Sequence, residues 1–420
     1  MEGPIVIVGG GHAAAQLCAS LAEHSLGSRV HLVSAENCLP YHRPPLSKTF
    51  LTDPDPKLQL HLSEDWYRNQ GVSVNLGDPA VDVIRSGERR KVITNSGQCI
   101  EAQWVVLATG AVARTLPTLG GQNLANVVTL RGYADACRLR QQLEEAQRIL
   151  IIGGGYIGLE VAASARKLNK EVVLLEAAPR LLNRASSDLV AAYVQETHQR
   201  NGIDIRVAVG EIQIETSHDR ASAAIIAKER LSFDLLVVGI GATPVTDIAS
   251  RAGLACDDGI LVDASMRTID PYVLAIGDCA RVRTNTGRDS RLESVHTASE
   301  QAQAATATIT GAPGVRGSTP WFWSDQGTVK LQIAGRVSAI GQANHRIVRR
   351  TGRSSESFAV AHYLGDVLVG VESVNAPVEH VLARRLLDEG LNLPADAFAD
   401  PAFAIKAWIT EELATRGVTA

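Results

Sequence analysis

Two short glycine patterns carry the most chemistry in this chain. Gly9, Gly11 and Ala14 form G-x-G-x-x-A inside Ile5–Ala14, IVIVGGGHAA, and Gly153, Gly155 and Gly158 form a full G-x-G-x-x-G. In such a turn the first glycine permits the tight bend, the second lets a pyrophosphate approach the backbone, and the third small residue lets a helix lie close on the sheet. A glutamate follows each pattern, Glu36 and Glu176, where a carboxylate can accept hydrogen bonds from an adenosine ribose. One G-x-G-x-x-A alone also describes a plain tight turn. Two copies about 145 residues apart, each with its acid, imply two dinucleotides in one chain.

The elements that must position these residues are legible around them. Ile5–Val8 reads as a strand buried on both faces, followed by a helix Ala13–His24 and a strand Arg29–Val33. The second copy repeats this with Arg148–Ile152, a helix through Ala165 and a strand Glu171–Leu175 that delivers Glu176. Tyr156 and Ile157 lie inside the second turn. Between the copies, NCLPYHRPPLSK holds three prolines and excludes regular helix or central strand. It reads as a surface loop, or as a segment whose Arg43 and Lys48 meet a cofactor. Leu60–Gln70 is predicted as a helix, with Val72–Leu76, Lys91–Thr94 and Trp104–Leu107 as strands. Three predicted strands end in small residues: Trp104–Leu107 in Ala108-Thr109-Gly110, Leu235–Val238 in Gly239-Ile240-Gly241, and Tyr272–Ile276 in Gly277-Asp278. In an open α/β sheet ligands bind at that carboxyl edge. A helix is predicted over Glu293–Ile309, and its N-terminal amides suit negative charge.

From Trp321 the texture changes to short strands, Val329–Ile333, Val337–Ile340, Phe358–Leu364 and Val367–Val374, then a helix from Pro377 to near Asp388. The WFWSDQ run at its entry is either core or an aromatic wall for a cofactor. The expected fold class is α/β, with two Rossmann-like dinucleotide-binding domains plus a C-terminal α+β domain. The expected domains are 1–113 with 241–320, 114–240, and 321–420.

Composition narrows the function. The chain has 420 residues, 45% hydrophobic and 20% charged, and a net charge of −4 that gives no nucleic-acid footprint. No apolar run approaches the roughly 20 residues of a membrane span. No signal peptide is read at the start, so a cytoplasmic location is expected. Six cysteines form no C-x-x-C pair and read as structural thiols rather than a redox dithiol. The histidines show no ligand spacing, so no metal site is expected.

Taken in order, IVGGGHAA, YHRPPLSK, ATGA, GGGYIGLE, GIGATP, AIGDCA, LESVHTASEQA and WFWSDQ resemble the FAD- and NADH-dependent ferredoxin reductases of bacterial oxygenase systems. That family belongs to the glutathione-reductase structural class. The resemblance spans essentially the whole chain. It implies that Gly9, Gly11 and Ala14 hold the FAD pyrophosphate, with Glu36 on its ribose. Arg43 and Lys48 would lie on the flavin side, and Thr109, Gly110 and Arg114 along the FAD channel. Gly277 and Asp278 would meet the ribityl chain, Val295 the pyrimidine edge, and Trp323 the ring. Gly153, Gly155, Tyr156, Ile157, Gly158, Glu176, Arg184 and Gly241 would receive NADH, with NADPH tolerated to a lesser degree.

In this reading no protein acid or base is strictly required, because the side chains position and tune the cofactors. Lys48 is expected to pair with Glu160 beside the hydride-transfer step; an exposed helix glutamate is the plainer alternative. The partner is expected to be an acidic [2Fe–2S] ferredoxin met by basic residues. Candidates are Arg281, Arg283, Arg288 and Arg291, or Arg346, Arg349, Arg350 and Arg353, with Arg291 the best placed. A rubredoxin or nitrite-reductase-like reductase and a non-enzymatic flavin-binding redox sensor remain as rival readings. A monomer and a homodimer are equally compatible with the sequence.

Overall fold

Ile5–Val8 is wholly buried because four consecutive β-branched residues have nowhere to go but between two covered faces. It is the centre of a five-stranded parallel sheet in the order Val273–Ala275, Trp104–Leu107, Ile5–Val8, Val30–Ser34, Ser73–Leu76. The computed structural model describes residues 3–119, 124–283, 291–314, 317–337 and 343–417. The chain divides into two units, Met1–Arg43 with Lys57–Val112 and Ala242–Gly317, and Pro44–Pro56 with Ala113–Gly241 and Ser318–Ala420.

In the first unit the helix His12–Glu23 packs its Ala13, Ala14, Leu17, Cys18 and Leu21 into the same apolar core as the sheet. The helix Val295–Thr310 brings Ala298, Ala302, Ala305 and Ile309 to that core. A three-stranded antiparallel sheet, Ala80–Ser86, Arg89–Thr94 and Cys99–Ala102, completes this unit.

The second unit repeats the plan. Its parallel sheet runs Ile203–Arg206, Glu171–Leu175, Arg148–Ile152, Leu235–Val238, Val127–Thr129. It too carries a small antiparallel sheet, Gln213–Ser217, Arg220–Ile226 and Glu229–Ser232. Beyond it lies a five-stranded antiparallel sheet, in the order Trp321–Gln326, Val329–Gly335, Val367–Val374, Phe358–Leu364, His345–Thr351. Helices Pro377–Asp388, Ala395–Ala399 and Ile405–Thr415 bury Ala383, Leu386, Phe398, Ile409 and Leu413 against that sheet.

Several expectations need adjustment. The helix predicted over Leu60–Gln70 starts only at Glu64, capped by Ser63, while Leu60 bridges Tyr41. Pro44–Pro56 groups with the second unit rather than with the first 113 residues. The Ser47 carbonyl accepts from Ser164 Oγ at 2.7 Å, and Arg140 donates to the carbonyls of Phe50, Asp53 and Pro54, which holds the segment there. Of the strand predicted over Val337–Ile340, residues 338–340 lie outside the described residues, and the preceding strand ends at Gly335.

Candidate functional site

In the first unit, Gly9 adopts φ +126°, and a Cβ there would fall 2.1 Å from the Ala108 carbonyl oxygen, so only glycine fits. Gly11 has open space where its side chain would be. It precedes a helix with no acidic residue in its first turn and no side-chain cap among the described residues. Orphan amides over an open cradle, at the positive end of a twelve-residue helix, suit a pyrophosphate. Other predicted residues gather around the turn. Gly277 packs at the Ala13 methyl and donates its amide to Gln301 Oε1 at 2.6 Å. Thr109 Oγ1 donates to the Val245 carbonyl at 2.7 Å, and Gly110 has φ +68° with open space beside it. Ser299 Oγ links His12 Nε2, at 2.8 Å, to the Val295 carbonyl, at 3.0 Å.

Glu36 is half-buried, and each of its oxygens is engaged: Tyr41 OH donates to one at 2.6 Å and Arg43 to the other at 2.6 Å. Remaining lone pairs can still accept from a ribose. Asp278 lies near enough to His12 and Arg43 to favour their charged forms. Burial nevertheless dominates at His12 and pulls its pKa down to about 4, helped by His42. His61 is lowered to about 3 by burial and by His12 and His42, and its ring lies 4.6 Å from that of His12. His12 Nδ1 and His61 Nε2 are buried with no hydrogen-bond partner among the described residues. No local pattern announces this histidine cluster, because residues 12, 42 and 61 share no periodicity.

The second unit builds its turn on the same plan with different chemistry. A Cβ on Gly153, at φ +112°, would fall 2.4 Å from the Gly239 carbonyl oxygen, and one on Gly158 would fall 2.1 Å from the Gly153 carbonyl oxygen. Gly155 faces open space and precedes the helix Tyr156–Lys167, again with no acid in the first turn and no side-chain cap among the described residues. Glu176 accepts from the Gly154 amide through Oε2 and from the Ala178 amide through Oε1, both at 2.7 Å. Ile157 and Arg184 are exposed. Arg114 donates its amide to the Gly241 carbonyl at 2.9 Å.

Glu160 stands on that same helix with 4% of its surface exposed. An ion at that depth needs partners, and it has three. Lys48 Nζ lies at 2.7 Å, Ser47 Oγ donates at 2.5 Å and Ser324 Oγ at 2.6 Å. The plainer reading of Glu160 as an exposed helix glutamate is therefore wrong. Ser47 and Ser324 come from 113 and 164 positions away, so no local pattern could announce them. Trp323 sits one residue before Ser324 with its ring 5.3 Å from that of Trp321, half-buried.

Arg291 is only 13% exposed in its side chain and pairs with Glu293 and with Asp258, the latter at 3.3 Å. Its charge is thus balanced within the unit, which weighs against it as a free steering charge. Arg281 pairs with Asp257 at 3.1 Å, and Arg288 lies outside the described residues. In the other cluster, buried Arg350 donates to the carbonyls of Phe398, Asp400, Pro401 and Phe403, and Arg346 pairs with Asp366 at 3.0 Å. Arg350 thus serves its own fold, while Arg346 remains half-exposed in a surface pair.

Two Rossmann-type sheets, each ending in an open, uncapped glycine turn followed by a held carboxylate, define a scaffold for an oxidoreductase that binds two dinucleotides. The chain belongs to the pyridine nucleotide-disulphide oxidoreductase family, whose model matches residues 3–302, while a reductase C-terminal model matches 321–409. It is 39% identical over 406 residues to the terpredoxin reductase of a Pseudomonas species, covering 96% of this chain and 97% of the relative. It is 36% identical over 413 residues to the ferredoxin–NAD(+) reductase component of the anthranilate 1,2-dioxygenase system of Burkholderia cepacia, covering 97% and 99%. Among solved structures, the covalent putidaredoxin reductase–putidaredoxin complex matches with a TM-score of 0.90 at 33% identity, covering 98% of this chain and 99% of that one. Despite the family's name, all six cysteines are free thiols. Cys18 and Cys279 are fully buried, and burial raises both their pKa values, Cys18 to about 12.

Proposed function

We propose that this protein is an NADH-dependent, FAD-containing reductase that delivers electrons to a [2Fe–2S] ferredoxin serving an oxygenase. One observation carries the reading: each unit leaves a glycine turn open and its helix N-terminus uncapped, which fits one dinucleotide pyrophosphate apiece. The ferredoxin–NAD(+) reductase relative and the putidaredoxin complex support the choice of acceptor. No helix among the described residues is long and apolar enough to cross a membrane, and the cytoplasm is the proposed location.

The residues divide the work. Gly9, Gly11, Ala14 and Glu36 bind the ADP half of FAD, with Arg43, Thr109, Gly110, Arg114, Gly277, Asp278 and Val295 along the rest of it. Gly153, Gly155, Tyr156, Ile157, Gly158, Arg184 and Gly241 receive NADH. Glu176 accepts from the adenosine 2′-hydroxyl and disfavours a 2′-phosphate. Bound FAD supplies the chemistry: it takes up two electrons as hydride and gives them up singly. The protein's part is to position and to exclude water. Lys48, Glu160 and Trp323 are assigned to the hydride-transfer step. Lys48 and Glu160 cancel each other's charge, and Ser47 and Ser324 fix the carboxylate in one rotamer, so a dry site keeps an ordered ion pair.

Rapid mixing of holoenzyme with NADH tests the pair. Glu160→Ala is expected to retain FAD and slow flavin reduction at saturating NADH by about tenfold or more, the scale of losing a charge-assisted network. Wild-type reduction rates in that variant would remove Glu160 from the step.

A further inference from the structure

We infer that Glu372 is a positioning residue for the nicotinamide dinucleotide, pinning from the C-terminal sheet the loop that runs from Glu176 to Ser187. The inference rests on the Gly153 turn receiving NADH.

The helix Asp188–Arg200 differs from the two helices that follow the glycine turns, because its N-terminus is already occupied. Ser187 donates its backbone amide to both oxygens of Glu372, each at 3.1 Å, across 185 positions of sequence. Glu372 is fully buried, in a strand where it stands opposite Val360 and Ile333. A bare carboxylate there would be costly. His362, equally buried, places Nε2 at 2.9 Å from Glu372 Oε2, and the positive end of the thirteen-residue helix faces the same carboxylate. Behind His362, His345 Nε2 lies 3.1 Å from Nδ1. With His345 donating to Nδ1, His362 donates from Nε2 to the Glu372 carboxylate.

The loop so held is the one beside the second glycine turn. At its start, Glu176 accepts from the amides of Gly154 and Ala178. In its middle, Leu182 donates to the Gly154 carbonyl at 3.0 Å, and the Tyr156 hydroxyl to the Ala185 carbonyl at 3.2 Å. Leu182 is held at φ +49°, a left-handed conformation that a leucine adopts only where its surroundings enforce it. Tyr156 feels Glu372 directly: its phenol is pushed up first by burial and then by that carboxylate. One carboxylate thus fixes each end of the loop, Glu176 from its own sheet and Glu372 from the C-terminal sheet. Loosening the far end frees the strained segment and Arg184 with it, without touching the reacting atoms.

The test uses the full holoenzyme with ferricyanide as acceptor and ADP-ribose as competitor. In Glu372→Gln the KM for NADH and the inhibition constant for ADP-ribose should both rise about tenfold, the scale of one charge-assisted hydrogen bond. The limiting rate of flavin bleaching at saturating NADH should stay within about twofold. His362→Gln, which keeps a side-chain donor, should stay near wild type, while His362→Leu should behave like Glu372→Gln. If Glu372→Gln yields no FAD-containing protein, the two His362 variants decide. Unchanged KM and inhibition constant, or a limiting rate that falls as far as the affinities, would overturn the inference. A wild-type protein that does not oxidise NADH would instead refute the reading on which it rests.

Discussion

The two glycine turns repeat one topology and solve it differently. The first carries Ala14 at its third small position, fully buried, whereas a Cβ at the matching Gly158 would collide with the Gly153 carbonyl. Their acids differ more. Glu36 is held by two side chains, Tyr41 and Arg43, while Glu176 is held by two backbone amides. Amides of a tight turn are fixed before any ligand arrives, so Glu176 is preorganised by backbone alone, whereas Tyr41 and Arg43 must give up rotamer freedom to hold Glu36. Shared sheet order therefore does not imply shared use, and the difference lies in which atoms hold the carboxylate.

The largest effect should come from the first glycine of each turn. Gly9→Ala puts a Cβ into the Ala108 carbonyl and should abolish FAD retention, leaving purified protein nearly colourless. Gly153→Ala should keep the yellow flavin and lose kcat/KM for NADH by about a hundredfold or more, because a backbone clash there adds to a φ of +112° that alanine does not adopt. If both variants lose flavin, or neither does, the division of labour between the turns is wrong.

A smaller effect is expected at the third position. Gly158→Ala should raise the KM for NADH by about tenfold, whereas Ala14→Gly should cost only about 0.5–1 kcal/mol of stability and leave FAD bound. Equal consequences at the two sites would mean that the closer helix approach at Gly158 has no bearing on the ligand. Glu176→Ala should compress the preference for NADH over NADPH by about tenfold in kcat/KM, with flavin content unchanged. An unaltered ratio would deny Glu176 its ribose.

The smallest effect concerns acid. In the first unit His12 and His61 have folded pKa values near 4 and 3, below the usual 6.5. The native state therefore binds fewer protons than the unfolded chain within that window. Their contribution is fully present above about 6.5 and is lost as pH falls toward 4 and then 3. The thermal midpoint should drop by a few degrees between pH 7 and pH 5 as that contribution is lost. His61→Gln should flatten that slope. A slope unchanged in the variant would show that the acid sensitivity lies elsewhere.

The parts legible in sequence were those whose physics is local. A run such as IVIV followed by glycines specifies a buried strand and a turn within ten residues, and both sheets assemble around such runs. Of the two small antiparallel sheets only Lys91–Thr94 was read as a strand, within Arg89–Thr94; strands such as Glu229–Ser232 were missed because they are exposed and carry charge. The allegiance of Pro44–Pro56 could not be read, since it depends on Arg140 and Ser164, far along the chain. The Lys48–Glu160 pair was foreseen through the family pattern, but the two serines that hold the carboxylate, and the reach of Glu372 to Ser187, are contacts that only folding creates.

Electron flow from NADH to ferredoxin is tested most directly by an anaerobic titration of the purified holoenzyme. NADH should bleach the flavin, and oxidised [2Fe–2S] ferredoxin added next should restore its colour, with two ferredoxins reduced for each NADH consumed. A flavin that NADH does not bleach, or one that bleaches and stays reduced in the presence of the ferredoxin, would contradict the proposed function.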